Sequence, residues 1–349
     1  MSRVTVVIPN YNGLRFMEPC MSALSAQTYT DFCVLIVDNG SADGSVEWLS
    51  SADMPFPVRS IFLKENTGFA GASNVGIEYA DSELILLLNN DTEPKPSFIE
   101  NLVRAFDEDR QGRLFAASPR MIQLYHKELL DDAGDGYNLL SWGFQRGVGR
   151  PVDEPKFARR TRVFSACAGA SMYRKELLSR IAIQGTVSYE GLYGERYTCR
   201  EYFDTKHFAY LEDMDLSFRA GSEGYDIYYI PEAEVYHVGS GTSGSKYNSF
   251  KVRLAARNNI WLCWKNMPLL MLILNLPGIL TGIAIKILFF VKLGFGRDYL
   301  KGLSEGIRGI PGCRKKKFRF RNLFNYVRLE LHMITDTFSY AEDFVRRKL

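Results

Sequence analysis

The stretch LILLLNND, residues 84–91, decides the fold class. Five consecutive apolar residues followed by polar ones describe a strand buried on both faces that stops at a polar edge. Two earlier stretches have the same design: TVVIP (5–9) runs into Asn10-Tyr11-Asn12-Gly13, and FCVLIV (32–37) into Asp38-Asn39-Gly40-Ser41. Val58–Leu63 reads as a further strand. Helical spacing fills the gaps: Leu14–Gln27, a short helix over Ser45–Ser51, and Ala70–Ala80, where Gly68, Gly71 and Gly76 permit close packing. Strands alternating with helices predict an α/β, Rossmann-like fold with a mostly parallel sheet and flanking helices. Ligands of such sheets gather beyond the carboxyl ends of the strands. Here those ends carry Pro9-Asn10, Asp38-Asn39 and Asn89-Asn90-Asp91.

Downstream, short strands are expected at Leu114–Ala117, Val163–Cys167, Ile227–Ile230 and Ala233–His237, with helices at Arg174–Ile183, Asp213–Glu223 and Tyr247–Lys265. They complete the sheet and build a cleft, so residues 1–266 read as one catalytic domain. The composition then shifts. Met267–Ile285 holds 19 residues without a charge, roughly 28 Å as a helix against a hydrocarbon core of ~30 Å. Pro268, Asn275 and Pro277-Gly278 are expected to interrupt it. Six cations fall between Arg314 and Arg321, and from Leu323 to Val345 apolar residues recur every three or four positions, an amphipathic helix. Residues 267–349 therefore read as a helical, basic, membrane-associating region, whose apolar stretch suits a transmembrane helix, an interfacial hairpin or a buried helical pair; Asn275, the two prolines and the lysines just after it favour the interface.

The 349 residues are 46% hydrophobic and 24% charged, which excludes disordered, collagen-like and disulfide-dense proteins. The net charge of +3 splits into −6 over residues 1–266 and +9 over 267–349. An acidic body argues against nucleic acid as a partner. Six cysteines without a CxxC pair predict free thiols in a reducing compartment. The start, MSRVTVVIPNYNG, lacks the pattern of a secretory leader, so the expected location is cytoplasmic, at the inner face of the cell membrane.

Asp91, at the end of an apolar strand, suits either a divalent-cation ligand or a turn before Pro94. Asp38 suits either a nucleoside contact or an Asx turn. Glu212-Asp213-Met214-Asp215 opens a helix, where negative charge is favourable with or without catalysis; as a functional group it would supply a general base. His237 precedes a glycine-rich loop, Gly239–Gly244, and imidazole is a common metal ligand. This loop lacks the GxxxxGK[ST] pattern and no GxGxxG follows the first strand, which argues against P-loop and dinucleotide-binding enzymes.

In their order, these motifs resemble the inverting glycosyltransferase family 2, with its GT-A fold, from about Val4 to about Asn266. Val6–Asn12 is similar to the family's opening strand, and Val37–Ser41 to the stretch whose Asp meets the pyrimidine. Asn66–Gly76 resembles its NxGfAgasNxGi segment, Asn89-Asn90-Asp91 its DxD position, Ala168–Met172 the loop behind the sugar, and Tyr210–Leu216 its ED motif. The branch most resembled is rhamnosyltransferase-like, which builds bacterial surface polysaccharides. The resemblance implies Asp213, beside Glu212, as catalytic base. It implies Asp91 and His237 as ligands of Mg2+ or Mn2+. It implies a nucleoside-diphosphate sugar, dTDP- or UDP-linked, held by Pro9, Asn10, Asn12, Asp38, Asn39, Asn66, Gly68, Asn74, Asn90, Gly169 and Ala170. A polyprenyl-linked saccharide acceptor, a membrane surface and a homodimer through the C-terminal helices complete the expected partners. Two departures stand out. Asn89 replaces the first DxD carboxylate, and residues 193–202 split the family's Gly-x-Phe-Asp stretch on what is, by analogy, the acceptor side. The competing readings are a nucleotidyltransferase, for which the loop Asn10–Arg15 carries only one cation, and a catalytically silent sugar-binding scaffold.

Overall fold

A computed structural model describes residues 2–239 and 247–346. Along it β1 (Val4–Asn10), α1 (Leu14–Ser25), β2 (Phe32–Asn39), α2 (Ser45–Ser51), β3 (Val58–Leu63), α3 (Gly68–Tyr79) and β4 (Leu84–Leu88) alternate as expected. Next come β5 (Thr92–Pro94), α4 (Phe98–Asp107), β6 (Leu114–Gln123), β7 (His126–Asp132), β8 (Asp135–Tyr137), β9 (Gly143–Gln145), β10 (Thr161–Arg162) and β11 (Ala170–Arg174). Then follow α5 (Lys175–Ile181), β12 (Ile183–Glu190), β13 (Arg196–Glu201), α6 (Glu212–Ser222), β14 (Asp226–His237), α7 (Ser249–Asn266), α8 (Leu269–Lys292), α9 (Gly296–Gly309) and α10 (Leu323–Arg346).

The main sheet runs β10-β14-β6-β11-β4-β1-β2-β3, with β5 added on β14 and β7 on β6. Strands β1 to β4 are mutually parallel, β6 is parallel to β14, and β11 runs antiparallel between the two sets. Burial on both faces explains the unbroken apolar runs. Val4, Val6 and Ile8 pack on Met17, Met21 and Leu24 of α1 and on α4, while Val7 on the other face meets Ala70 and Ile77 of α3. That approach needs glycine: a Cβ on Gly76 would lie 2.2 Å from Val7 Cγ1.

Two expectations are corrected. Val163–Cys167 is not a strand; it meets β14 through a bond from Val163 N to Ile227 O at 3.0 Å and β8 through an isolated bridge, Asp135 to Ser165, and Val163, Phe164 and Ala166 instead fill the core beneath the sheet. The pairing strand is Ala170–Arg174, whose mixed residues give a weaker local signal. Ile227–Ile230 and Ala233–His237 form a single strand, with a register shift between Ile230 and Glu234 that absorbs Pro231. Residues 193–202 belong to the β12–β13 hairpin, which packs Val187, Tyr189, Tyr197 and Cys199 against α3 and the β2–β3 edge. Hydrogen bonds from Lys64 N to Glu190 O and from Leu192 N to Phe62 O cover that edge.

The expected interruption of the apolar stretch is also corrected: α8 is continuous through Pro277, which only removes one backbone donor. One stripe of it, Met271, Asn275, Ile279 and Gly282, faces the body. Asn275 Nδ2 donates to Met271 O and to Glu330 of α10. Met271 and Ile279 join Met214 and Phe218 of α6 and Leu329 and Met333 of α10 in one core. The opposite face exposes Leu269, Leu270, Ile273, Leu274, Leu280 and Leu288. Among the described residues α8 alone is long and apolar enough to cross a membrane. Three of the six cations of 314–321 fold back on the body: Arg314 pairs with Glu201 at 3.2 Å, Lys316 pairs with Glu223 at 2.8 Å, and Lys315 stands 4.1 Å over the ring of Trp264. Lys317, Arg319 and Arg321 are exposed.

A Cβ on Gly282 would lie 2.2 Å from Leu140 O. Gly282→Val is expected to lower stability by ~1–3 kcal/mol, read as an earlier midpoint in urea unfolding.

Candidate active site

The carboxyl ends of β1, β2 and β4, the start of α3, the turn before α6 and the start of α7 surround an open cleft of about 660 Å³. Pro9, Asn10, Asn39, Asn66, Gly68, Asn90, Asp91, Gly169, Glu212, Asp213, His237 and Gly239 line it. Residues 240–246, most of the glycine-rich loop singled out above, lie outside the described residues.

Four expected contact residues stand elsewhere. Asp38 is fully buried behind Asn10: it accepts from Asn10 Nδ2 at 2.8 Å and from Ser41 N at 2.9 Å. The expected Asx turn would bond Gly40 N; Asp38 instead closes the turn one residue later, at Ser41 N, while its other oxygen shapes the cleft through Asn10. Asn12 adopts a left-handed φ of 50° and accepts from Ala42 N at 2.8 Å, bracing the loop after β1. Asn74 bonds both ends of its amide to the Phe203 backbone at 2.8 Å, which pins α3 to the segment behind α6. Ala170 is buried as the first residue of β11, opposite Leu88.

The cleft floor is an amide relay. Asn90 Nδ2 donates to Asn10 Oδ1 at 2.6 Å, and Asn10 passes the bond on to Asp38. Asn39 accepts from Thr67 N at 2.9 Å and donates to Asn66 Oδ1 at 3.0 Å and Gly68 O at 3.1 Å, fixing the entry to α3. Gly68 sits at φ 77°, and a Cβ there would lie 2.5 Å from Phe208 O, so the position requires glycine.

At one corner Asp91 Oδ1 lies 3.4 Å from His237 Nε2. This oxygen is buried and has no hydrogen-bond partner among the described residues. His237 Nδ1 meets Asp131 Oδ2 at 2.7 Å. Burial opposes the imidazolium, but Asp131 and then Asp91 outweigh it and raise the group to about 10. An orphaned carboxylate oxygen facing an imidazole nitrogen fits a divalent cation, and Asp131 on the far nitrogen orients the ring for that role. A proton and a cation therefore compete for the same corner. Asp131, at the end of β7, had no local signature; only the pairing of β7 with β6, and of β6 with β14, brings it to His237.

Across the cleft stand Glu212 and Asp213, in the first turn of α6. Asp213 accepts from Met214 N at 2.7 Å and Ala168 N at 3.4 Å. Burial raises its proton affinity above the usual carboxylate range against the pull of those donors. Burial, with the charge of Asp213 beside it, pushes Glu212 up to about 8, so it holds a proton at neutral pH. The third acid, Asp215, points away. It binds Lys265 at 2.8 Å and Arg219 at 3.1 Å, and these cations hold it well below the carboxylate range despite burial. Asp132, Asp135 and Cys167 form a further acidic group near Asp213, their ligand atoms within 4.8 Å of one another. Burial, reinforced by Asp131, pushes Asp132 up to about 8. Phe208, Tyr210 and Phe250 form an aromatic wall beside the acids.

Comparison with known proteins follows the same division. Glycosyltransferase AglE of Haloferax volcanii is 33% identical over 100 residues, 28% of this chain and 33% of the relative. Glycosyltransferase GlyG of Streptococcus pneumoniae is 32% identical over 106 residues, 30% of this chain and 35% of the relative. Such matches span about a third of the relatives' own lengths. Among solved structures, S. aureus TarS 1-349 in complex with UDP-GlcNAc superposes with a TM-score of 0.55 at 15% identity, covering 98% of this chain and 92% of that one. GalNAc-T7 with UDP, GalNAc and Mn2+ gives 0.55 at 13% identity over 76% of this chain and 48% of that one. These likenesses show the GT-A fold. The sequence model "Glycosyl transferase family 2" matches residues 5–182, and the chain belongs to that family.

Proposed function

We propose that this protein is an inverting glycosyltransferase that moves a sugar from a nucleoside diphosphate to a hydroxyl of a saccharide acceptor. The observation that carries the reading is the placement of Asp213 in the same cleft as the Asp91–His237 corner. The base of the donor rests against Pro9, Asn10 and Asn39, with Asp38 behind Asn10 setting the direction of its amide. Asp213 removes the proton of the acceptor hydroxyl. The oxygen attacks the anomeric carbon from the face opposite the leaving diphosphate, and the configuration inverts. Glu212, protonated, leaves Asp213 as the ionised member of the pair. Asp91 and His237 would hold Mg2+ or Mn2+, which neutralises charge growing on the diphosphate. The Mn2+ crystallised with GalNAc-T7 supports a divalent cation in this fold.

The donor sugar in this proposal is L-rhamnose on dTDP, by resemblance to the rhamnosyltransferase-like branch; the UDP-GlcNAc held by TarS makes a UDP-linked sugar the second candidate. The exposed apolar face of α8 and the exposed cations Lys317, Arg319 and Arg321 support docking on the cytoplasmic face of an anionic membrane, where a polyprenyl-linked acceptor would lie. Such an acceptor places the enzyme in bacterial cell-surface polysaccharide synthesis. Pairing of two chains through the C-terminal helices belongs to the same proposal.

Asp213→Asn is expected to lower sugar transfer by ~10²–10⁴-fold while Mn2+-dependent UDP binding is retained; substantial turnover would remove Asp213 as the base. Asp131→Asn is expected to raise the Mn2+ concentration for half-maximal activity by ~10–100-fold, measured by metal titration. Each exposed cation is worth up to ~1 kcal/mol on an anionic leaflet. Changing Lys317, Arg319 and Arg321 together to Ser is expected to move the protein off phosphatidylserine vesicles in a flotation assay; unchanged flotation counts against the docking model.

A further inference from the structure

The backbone just before the two acids is strained. Phe208 has φ 63° and ψ −61°, and Ala209 N donates to His207 O at 2.7 Å. Together these describe a γ-turn of the rare, unfavourable hand. Tyr210 and Leu211 follow at φ 71° and 65°, left-handed values that side chains other than glycine and asparagine seldom adopt. Leu211 is the residue that caps α6, so the direction of this turn sets where Glu212 and Asp213 enter the cleft. Such a conformation persists only where its surroundings hold it.

Two elements hold it. From α3, Ala70 N donates to Phe208 O at 3.2 Å. From α7, the side chain of Asn258 reaches the turn's inner face. It is fully buried, and the two hydrogens of its Nδ2 are shared among three carbonyls, His207 O at 3.0 Å, Ala209 O at 2.9 Å and Tyr210 O at 2.8 Å. Its own oxygen accepts from Arg257 Nε at 2.9 Å, which fixes the amide with its nitrogen toward the turn. Arg257 adds bonds to Lys206 O and His207 O at 3.1 Å. One side chain thus collects three carbonyls of the strained segment. Further along α7, Lys265 and Asn266 bind Asp215 of α6 at 2.8 and 2.7 Å.

We propose that Asn258 is a positioning residue for the general base: its amide holds the Phe208–Leu211 turn in the left-handed path that delivers Asp213 to the acceptor. The proposal rests on the reading of Asp213 as base. It also gives α7, the helix that leads into α8, a direct hold on the catalytic centre.

The test is Asn258→Ala, alone and with Leu211→Gly. Amide hydrogen exchange, UDP binding in Mn2+, and turnover of dTDP-rhamnose and UDP-GlcNAc are followed, with Asp213→Asn as a parallel control. Asn258→Ala is expected to speed exchange over residues 207–214 at least about tenfold, leave β1–β4 unchanged, and keep UDP affinity within about threefold. Turnover is expected to fall by at least about thirtyfold with little change in donor KM. Glycine at 211 adopts positive φ without a steric cost, so the double variant is expected to regain protection and at least about fivefold in turnover. A side chain that merely fills space would not be rescued from another position. Unchanged exchange in Asn258→Ala, or a loss that Leu211→Gly does not rescue, overturns the proposal. Activity in Asp213→Asn would instead overturn the base assignment, leaving the exchange result to judge the clamp. If Asn258→Ala does not fold, Asn258→Ser, which keeps one donor, carries the same measurements.

Discussion

The side chain of Asn10 ties three strand ends together. It donates to Asp38 at the end of β2 and accepts from Asn90 just beyond β4, while its backbone belongs to β1 between them. A parallel sheet buried on both faces has to end its strands somewhere polar, and the polar ends need partners because water is excluded there. The Asp38–Asn10–Asn90 relay supplies those partners. It fixes which amide nitrogen and which oxygen each residue presents. The cleft floor is thereby preorganised before anything binds, and Gly13 leaves room for it: a Cβ there would meet Asn90 Nδ2 at 1.9 Å and Asn10 Oδ1 at 2.7 Å.

Opposite charges are placed with equal economy. The acids form two populations. Asp215 and Asp204 are matched by Lys265 and serve packing between α6 and α7. Buried Glu212, Asp132 and Asp135 and half-buried Asp213 pair with no cation among the described residues, and each is pushed toward its protonated form. A carboxylate that holds its proton more tightly than usual is a better base. His237, between Asp91 and Asp131, is likewise pushed toward its protonated form, which for an imidazole is the charged one, and supplies the positive charge of its corner. Two ends of one cleft thus differ in sign of demand: one gathers acids, the other accommodates a cation.

The C-terminal helices are built into this arrangement. Asp336 of α10 accepts from Tyr137 N at 2.9 Å, Thr337 Oγ1 accepts from Leu139 N at 3.0 Å, and the core they close includes Met214 and Phe218 of the helix that bears the acids. α8 keeps one small-residue stripe, with Gly278 and Gly282, for the carbonyls of Leu139 and Leu140. Its outer face remains apolar because Lys286, a lone cation well inside the helix, lies 5.4 Å over the ring of Trp142 on the body.

Local patterns were enough for the first half of the fold. Runs such as LILLL are read correctly because burial on both faces leaves a composition that does not depend on which neighbour does the burying. Asn89-Asn90-Asp91, Glu212-Asp213 and His237 were legible for a related reason: polar groups after an apolar strand or at a helix start have few places to go but the edge of the sheet. Other features depend on partners far away in the chain. Ala170–Arg174 becomes a strand only because β4 and β6 present free edges on both sides of it. Val163–Cys167 loses that place despite its apolar run, and Asp131 reaches His237 only through the stacking of β7, β6 and β14. Asp38 and Asn74 show the converse: their positions are readable, but whether such a side chain faces a ligand or a backbone amide is set by what lies above it. The sequence by itself determined the strands of the first half, their polar ends and the family. Which of those ends open on the cleft, and the strained turn that aims Asp213, were decided by tertiary contacts, because a hydrogen bond between residues fifty or a hundred positions apart leaves no periodic trace in the chain.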